Sequence, residues 1–242
     1  MNTVKAMMLY EYRSYLKSNQ YTMPLIALGL FLYVNYSGLP ISIVASSTIS
    51  MVAVFFIAIW AGMSYYHSEN AVSEQLIILK LQSEGKYYLC KTLFLFLLSM
   101  SLSLIVILVP LLQNVLNHFQ AFVRPLTVSD ILIAYVLLCI SAFTGMMLGS
   151  VFHPRIMRNR NLAGVLAVIF AAMAILKTSV ESDFPIFRFV SWLFPPVADF
   201  MHRFSGMEHY SGPAVLSTVL TLLSYSFVLM VIKIYFLVRN KF

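Results

Sequence analysis

Five histidines and two cysteines are the side chains of this chain with metal-binding chemistry. His202 and His209 stand seven residues apart with Asp199 and Glu208 nearby, a loose set of zinc-type donors. His67, His118 and His153 are scattered, and Cys90 and Cys139 have neither ligand nor disulfide-framework spacing. Solvated or headgroup-facing histidines are the commoner outcome of such a pattern. There is no GxxxxGKS/T phosphate loop, no HExxH pair and no GxSxG elbow. The chain is therefore expected to be no enzyme, with no metal and no cofactor of its own. Hydroxyls are more plentiful: Ser46, Ser47, Thr48 and Ser50 in one apolar stretch, Ser99, Ser101 and Ser103 in another. Inside helices such groups usually satisfy themselves on their own backbone or serve packing.

These residues sit in a very apolar frame. Of 242 residues, 60% are hydrophobic and only 10% charged, too few charges to cover a soluble domain of this length. Lipid is the solvent that suits such a chain. A hydrocarbon core of ~30 Å takes roughly 20 apolar residues to cross. Six segments qualify, at residues 22–39, 43–66, 92–116, 129–151, 162–180 and 215–237. Lys177 lies near the end of the fifth and is expected to snorkel to the headgroups. The first apolar run lacks a small-residue cleavage site and reads as a retained span. Few ionisable side chains fall inside the spans, which argues against ion-coupled transport and against an intramembrane protease.

Charge placement sets the expected orientation. With six spans, one face collects twelve basic and four acidic residues, and the other four basic and five acidic. Lys and Arg concentrate on the cytoplasmic side, so both termini are expected there, in a cell (plasma) membrane. The basic balance is thereby explained by the bilayer, and no nucleic-acid partner is needed.

Three segments outside the spans are informative. Residues 3–18 place Val4, Met7, Met8, Tyr12 and Tyr15 at helical spacing with Lys5, Arg13 and Lys17 between them, as in an amphipathic interfacial helix. Residues 68–84 begin with Ser68 as a cap and Glu69 in the first turn, and Gly85 offers a stop. Ala71, Val72, Leu76 and Leu79 would form an apolar stripe that needs lipid or a partner to cover it. Residues 184–204 are aromatic but broken by Pro185, Pro195 and Pro196, too short to span, and read as an outer re-entrant helical hairpin. Within the fourth span, Ser141, Gly145 and Gly149 recur every fourth residue, a small-residue face for close helix packing, within one bundle before a dimer contact. Gly164, Ala167, Ala171 and Ala174 would do the same in the fifth. The expected fold is all-α and polytopic: a single transmembrane domain of six helices.

This layout resembles the permease subunits of type-2 ABC exporters. The resemblance in motif rests on Glu69, then Glu74-Gln75-Leu76-Ile77, then Tyr87-Tyr88 and Cys90-Lys91, where Cys90 replaces the family's usual Gly. A second part resembles the family's outer motif, from Pro195 and Pro196 to Phe200, interrupted by Asp199. The resemblance implies a coupling helix in which Glu69, Glu74, Gln75, Leu76 and Leu79 meet a cytoplasmic ABC ATPase on a separate chain, which would hold ATP and Mg. It also implies a second permease copy or homologue. Small permeases of this kind accompany peptide export or immunity in Gram-positive bacteria, the phenol-soluble modulin exporters among them. The expected cargo is hydrophobic or amphipathic, a peptide or toxin. Lipid or polysaccharide export by the same machinery, or a non-transporting immunity or scaffold protein, are the alternatives.

Overall fold

The computed structural model describes residues 3–67, 71–157 and 159–239. Among these, the chain is all-helical, with one isolated bridge between Ile41 and Phe122. The helices are α1 (Thr3–Lys17), α2 (Thr22–Asn35), α3 (Ile43–His67), α4 (Ala71–Leu81), α5 (Glu84–Leu116), α6 (Val128–Val151), α7 (Arg160–Asp183), α8 (Val197–Phe204) and α9 (Gly212–Arg239). Two short 3-10 turns, Pro185–Phe189 and Ser191–Leu193, precede α8. Five helices (α3, α5, α6, α7 and α9) are long and apolar enough to cross a membrane, which suits a membrane-embedded protein.

Helix ends follow local chemistry. Positive φ at Asn19, a residue type that tolerates it, breaks the chain between α1 and α2. Thr127 caps α6 in a capping box with Asp130, which in turn takes a two-pronged bond from Arg124 at 2.8 Å. Gly85 does not stop the segment before α5. The break falls at Gln82, with φ of 53°, because Ser83 caps α5 and Gly85 lies in its first turn. The apolar segment expected from residue 92 therefore belongs to a helix that begins at Glu84. Pro110 sits within α5 without ending it. The helix expected over 22–39 ends at Asn35, where the amide donates to Ser50 Oγ at 3.4 Å and a Ser-Gly turn follows.

The bundle has two ends. At the α4 end, the Tyr15 ring lies 6.1 Å from Phe94, and α4, the start of α5, the α6–α7 loop and the last turns of α9 converge. At the α8 end, Ile41 pairs with Phe122, Ser47 with Tyr210, and Arg124 with the Glu208 carbonyl. The five long helices are joined by the shorter apolar α2, which packs on α3.

The tightest seam is α3 on α6. A Cβ added at Gly149 would lie 2.3 Å from the Ile59 carbonyl oxygen, and one at Gly145 would lie 2.4 Å from that of Phe55. Gly62 of α3 answers from the other side, where an added Cβ would lie 2.6 Å from the Met146 carbonyl oxygen. Ser141 Oγ, one turn before Gly145, donates across the seam to the Met51 carbonyl at 2.8 Å. In α7, Ala163, Ala167, Ala171 and Ala174 form the buried face, whereas Gly164 has open space in front of it.

Candidate functional site

α4 is short, and its two faces differ. Val72, Leu76 and Leu79 fall at i, i+4 and i+7 and are exposed, Leu79 at 73%. Gln75 is exposed beside them. Glu74 turns the other way and is buried at 3%, while Ile77, Ile78 and Leu81 pack on Tyr87, Tyr88 and their neighbours. Glu69, expected at the helix start, lies outside the described residues.

The inward face of α4 is locked by charge. Tyr88 donates its hydroxyl proton to Glu74 Oε1 at 3.2 Å. Arg155, from the loop between α6 and α7, donates to the Tyr88 hydroxyl at 2.7 Å and sets its other nitrogen 3.3 Å from Glu74 Oε1. One carboxylate thus ties α4 to α5 and to the α6–α7 loop. A buried ion is tolerated where such bonds replace its water.

A second polar cluster lies beside it. Glu11, on the buried face of α1 with Met7 and Tyr15, accepts from the Tyr65 hydroxyl at 2.5 Å. Lys91 is fully buried, its Nζ 5.5, 5.0 and 4.8 Å from the ring centres of Tyr65, Tyr66 and Tyr87. Tyrosine π-faces attract a cation, which offsets part of its desolvation. Lys233 of α9, also fully buried, donates to the Tyr66 hydroxyl at 2.5 Å. His153 rests on the Tyr66 ring at 4.9 Å, and its Nδ1 accepts from the Arg155 backbone at 3.1 Å. Burial, then the adjoining Tyr21, pushes Tyr15 up to about 12, so it stays neutral.

Glu11, Lys91, Arg155 and Lys233 are among the twelve basic and four acidic residues that the charge count assigns to the face holding both termini. The structure turns them inward. The local signal was faint: the tyrosine pairs Tyr65-Tyr66 and Tyr87-Tyr88, which flank α4 in the chain.

The α8 end is built differently. Pro195 is buried, Pro196 half-buried, and Phe200 fills the core against α3 and α7. Lys177 does not snorkel. It is buried and bonds Asp199 of α8 at 2.8 Å, because α8 folds back over the end of α7. His202 bonds Thr178 at 3.2 Å and His209 is exposed. Among the described residues no three His, Cys, Asp or Glu side chains gather to hold a metal. The serines and threonine of α3 include Ser46, Ser47 and Thr48, each bonded to a carbonyl three or four residues back, and Ser99 and Ser101 do the same in α5. At this end, burial pushes Tyr210 up to about 12 against the bond from Ser47 that lowers it, and the Asp130 carboxylate raises Arg124 above its ordinary value.

A cleft of about 850 Å³ opens between α2, α3 and α7. Asn19, Gln20, Arg160 and Asn161 form its polar rim, and Trp60, Met63 and Val168 its apolar wall. No protein-family model, curated protein or solved structure matches this chain.

Proposed function

We propose that this chain is the permease subunit of a type-2 ABC exporter. In this reading it moves a hydrophobic or amphipathic cargo, a peptide or toxin, out across the cell membrane. The observation that carries it is α4: a short helix bound to the bundle by a buried carboxylate, presenting Val72, Leu76 and Leu79 to the outside. A chain that spends a buried ionic lock on a surface helix needs that helix held in one orientation. A cytoplasmic ATPase seated on the apolar stripe would push on α5 and on the α6–α7 loop at once, through Glu74. That ATPase would supply ATP and Mg, and a second permease copy or homologue would complete the pathway.

The six-span layout is part of the proposal. α2 has 14 residues and rises ~21 Å, short of a ~30 Å core, so the bilayer would thin locally around it. Both termini and α4 would then be cytoplasmic, with α1 at that interface and the segment through Pro195, Pro196 and Phe200 re-entrant from the outer face. The cleft between α2, α3 and α7, with its polar rim and apolar wall, has the chemistry of an amphipathic cargo.

The test is an affinity pull-down of the full chain from its native membrane, followed by an ATPase assay. A stoichiometric P-loop ATPase is expected. Burying two leucines is worth ~3–6 kcal/mol, so the double variant Leu76→Asp, Leu79→Asp is expected to weaken its retention at least ~100-fold. Both side chains are exposed, so the fold is expected to survive. An ATPase-free chain, stable alone, would overturn the proposal and leave an immunity or scaffold protein.

A further inference from the structure

A second groove, of about 700 Å³, lies on another side of the bundle. α1 covers one stretch of it with Lys5, Leu9, Tyr12 and Leu16. It continues along α5 past Leu98 and Leu102 to Ile105, with Pro24 and Leu25 of α2 as the facing wall. Ala61 and Met146 close its floor and are buried at 3% and 0%. The stretch from Phe94 to Ile105 alone covers ~16 Å of helix axis.

The groove has a polarity gradient. Lys5 stands at the α1 extreme as the sole charged side chain of its lining. Tyr12, Tyr15 and Tyr21 follow, and the rest of the lining is apolar except for Ser101, whose hydroxyl is already bonded to the Leu97 carbonyl at 3.0 Å. Helix association in lipid leaves no reason to keep such a channel empty, because acyl chains fill apolar gaps as well as leucine does.

We infer that this groove is a binding site for one anionic phospholipid, with its phosphate on Lys5 and an acyl chain running between α2 and α5 toward Ile105. The lipid packs under α1 and acts as a structural ligand of the bundle. Charge complementarity fixes the head and the apolar depth fixes the tail. A zwitterionic lipid would fill the depth equally well but gain less from Lys5, since a basic residue near an anionic surface contributes the equivalent of about fivefold in affinity. The site is independent of the exporter reading and requires only that the chain lie in a bilayer.

The experiment uses the full chain in nanodiscs of equimolar phosphatidylglycerol and phosphatidylcholine, released into mild detergent for native mass spectrometry. The wild type is expected to retain one phospholipid, enriched about fivefold for phosphatidylglycerol. Lys5→Glu is expected to keep a lipid but lose the enrichment. Ser101→Trp, which projects an indole into the groove from an exposed position, is expected to lose the retained lipid, with helix content unchanged by circular dichroism. Equal retention of the two lipids by the wild type, or undiminished lipid in folded Ser101→Trp, would overturn the inference. Because Lys5→Glu leaves every packed residue in place, the headgroup arm stands even if Ser101→Trp fails to fold.

Discussion

Arg155→Met is expected to release α4 from the bundle. The substitution removes the guanidinium that lies 3.3 Å from Glu74 and bonds the Tyr88 hydroxyl, while Glu74 stays buried. Breaking one partner of a buried ion pair costs about 3–5 kcal/mol, since the remaining charge has lost its compensation. The cheapest escape is local. α4 has 11 residues, and Ile77, Ile78 and Leu81 are only partly buried, so undocking it gives Glu74 water at little apolar cost. Hydrogen exchange across 71–81 should therefore accelerate by ~100-fold or more, while α3 and α6 keep their protection. Adding Glu74→Gln should restore most of the slow exchange, because the neutral amide needs no cation and can still bond Tyr88. Exchange in Arg155→Met equal to the wild type would mean that the pair does not hold α4. In the exporter reading the same variant would uncouple ATP hydrolysis from transport without losing the ATPase. That separates it from the leucine variants, which lose the partner itself.

What the sequence revealed and what it hid divide along contact range. Apolar runs are a local property, so α3, α5, α6, α7 and α9 were legible, as was the odd apolar stripe at Val72, Leu76 and Leu79. The charged network was not. Lys233 and Tyr66 are 167 residues apart in the chain, and Glu11 and Tyr65 are 54 apart. A lysine at the edge of an apolar helix looks the same whether it anchors to headgroups or turns inward onto tyrosines, and charge counting assumes the first. Lys177 shows this most plainly. Its neighbours in sequence suit snorkelling, yet Asp199, 22 residues on, is carried back to it by α8. In α1 the expected stripe was legible in part: Met7 and Tyr15 are buried as its spacing implies, while Tyr12 is exposed and Glu11 takes a place in the buried face. The buried positions are Met7, Glu11 and Tyr15, four residues apart, and an acidic residue in the middle of a buried face cannot be inferred without knowing Tyr65. Span edges moved where capping outweighs hydropathy. Ser83 starts α5 eight residues before the apolar run expected from residue 92, so α5 reaches out of the apolar zone to meet α4.

The small-residue face of α6 leads to the other large effect. Gly149→Ala is expected to destabilise the bundle by about 3 kcal/mol, at the upper end for overpacking. The added methyl would meet the Ile59 carbonyl oxygen at 2.3 Å and the Met63 amide nitrogen at 3.0 Å. Both are backbone atoms, so no rotamer change relieves the clash. α3 must back away along the seam, and Gly145 and Gly62, in similar contact with Phe55 and Met146, lose their packing with it. Without a hydrophobic driving force between helices in lipid, that close contact is the main attraction available to the α3–α6 pair. Gly164→Ala and Gly29→Ala supply the contrast. Neither new methyl would meet anything within 4 Å, and each should be neutral or stabilising by up to ~1 kcal/mol through helix propensity. Reversible unfolding in mixed micelles measures all three. The comparison also separates the two uses of a GxxxG face. If Gly145 and Gly149 served a dimer, Gly149→Ala would weaken self-association and leave the isolated chain as stable as before. Buried as they are against α3 of the same chain, the expected result is the reverse: a weakened monomer whose association changes only as its fold does.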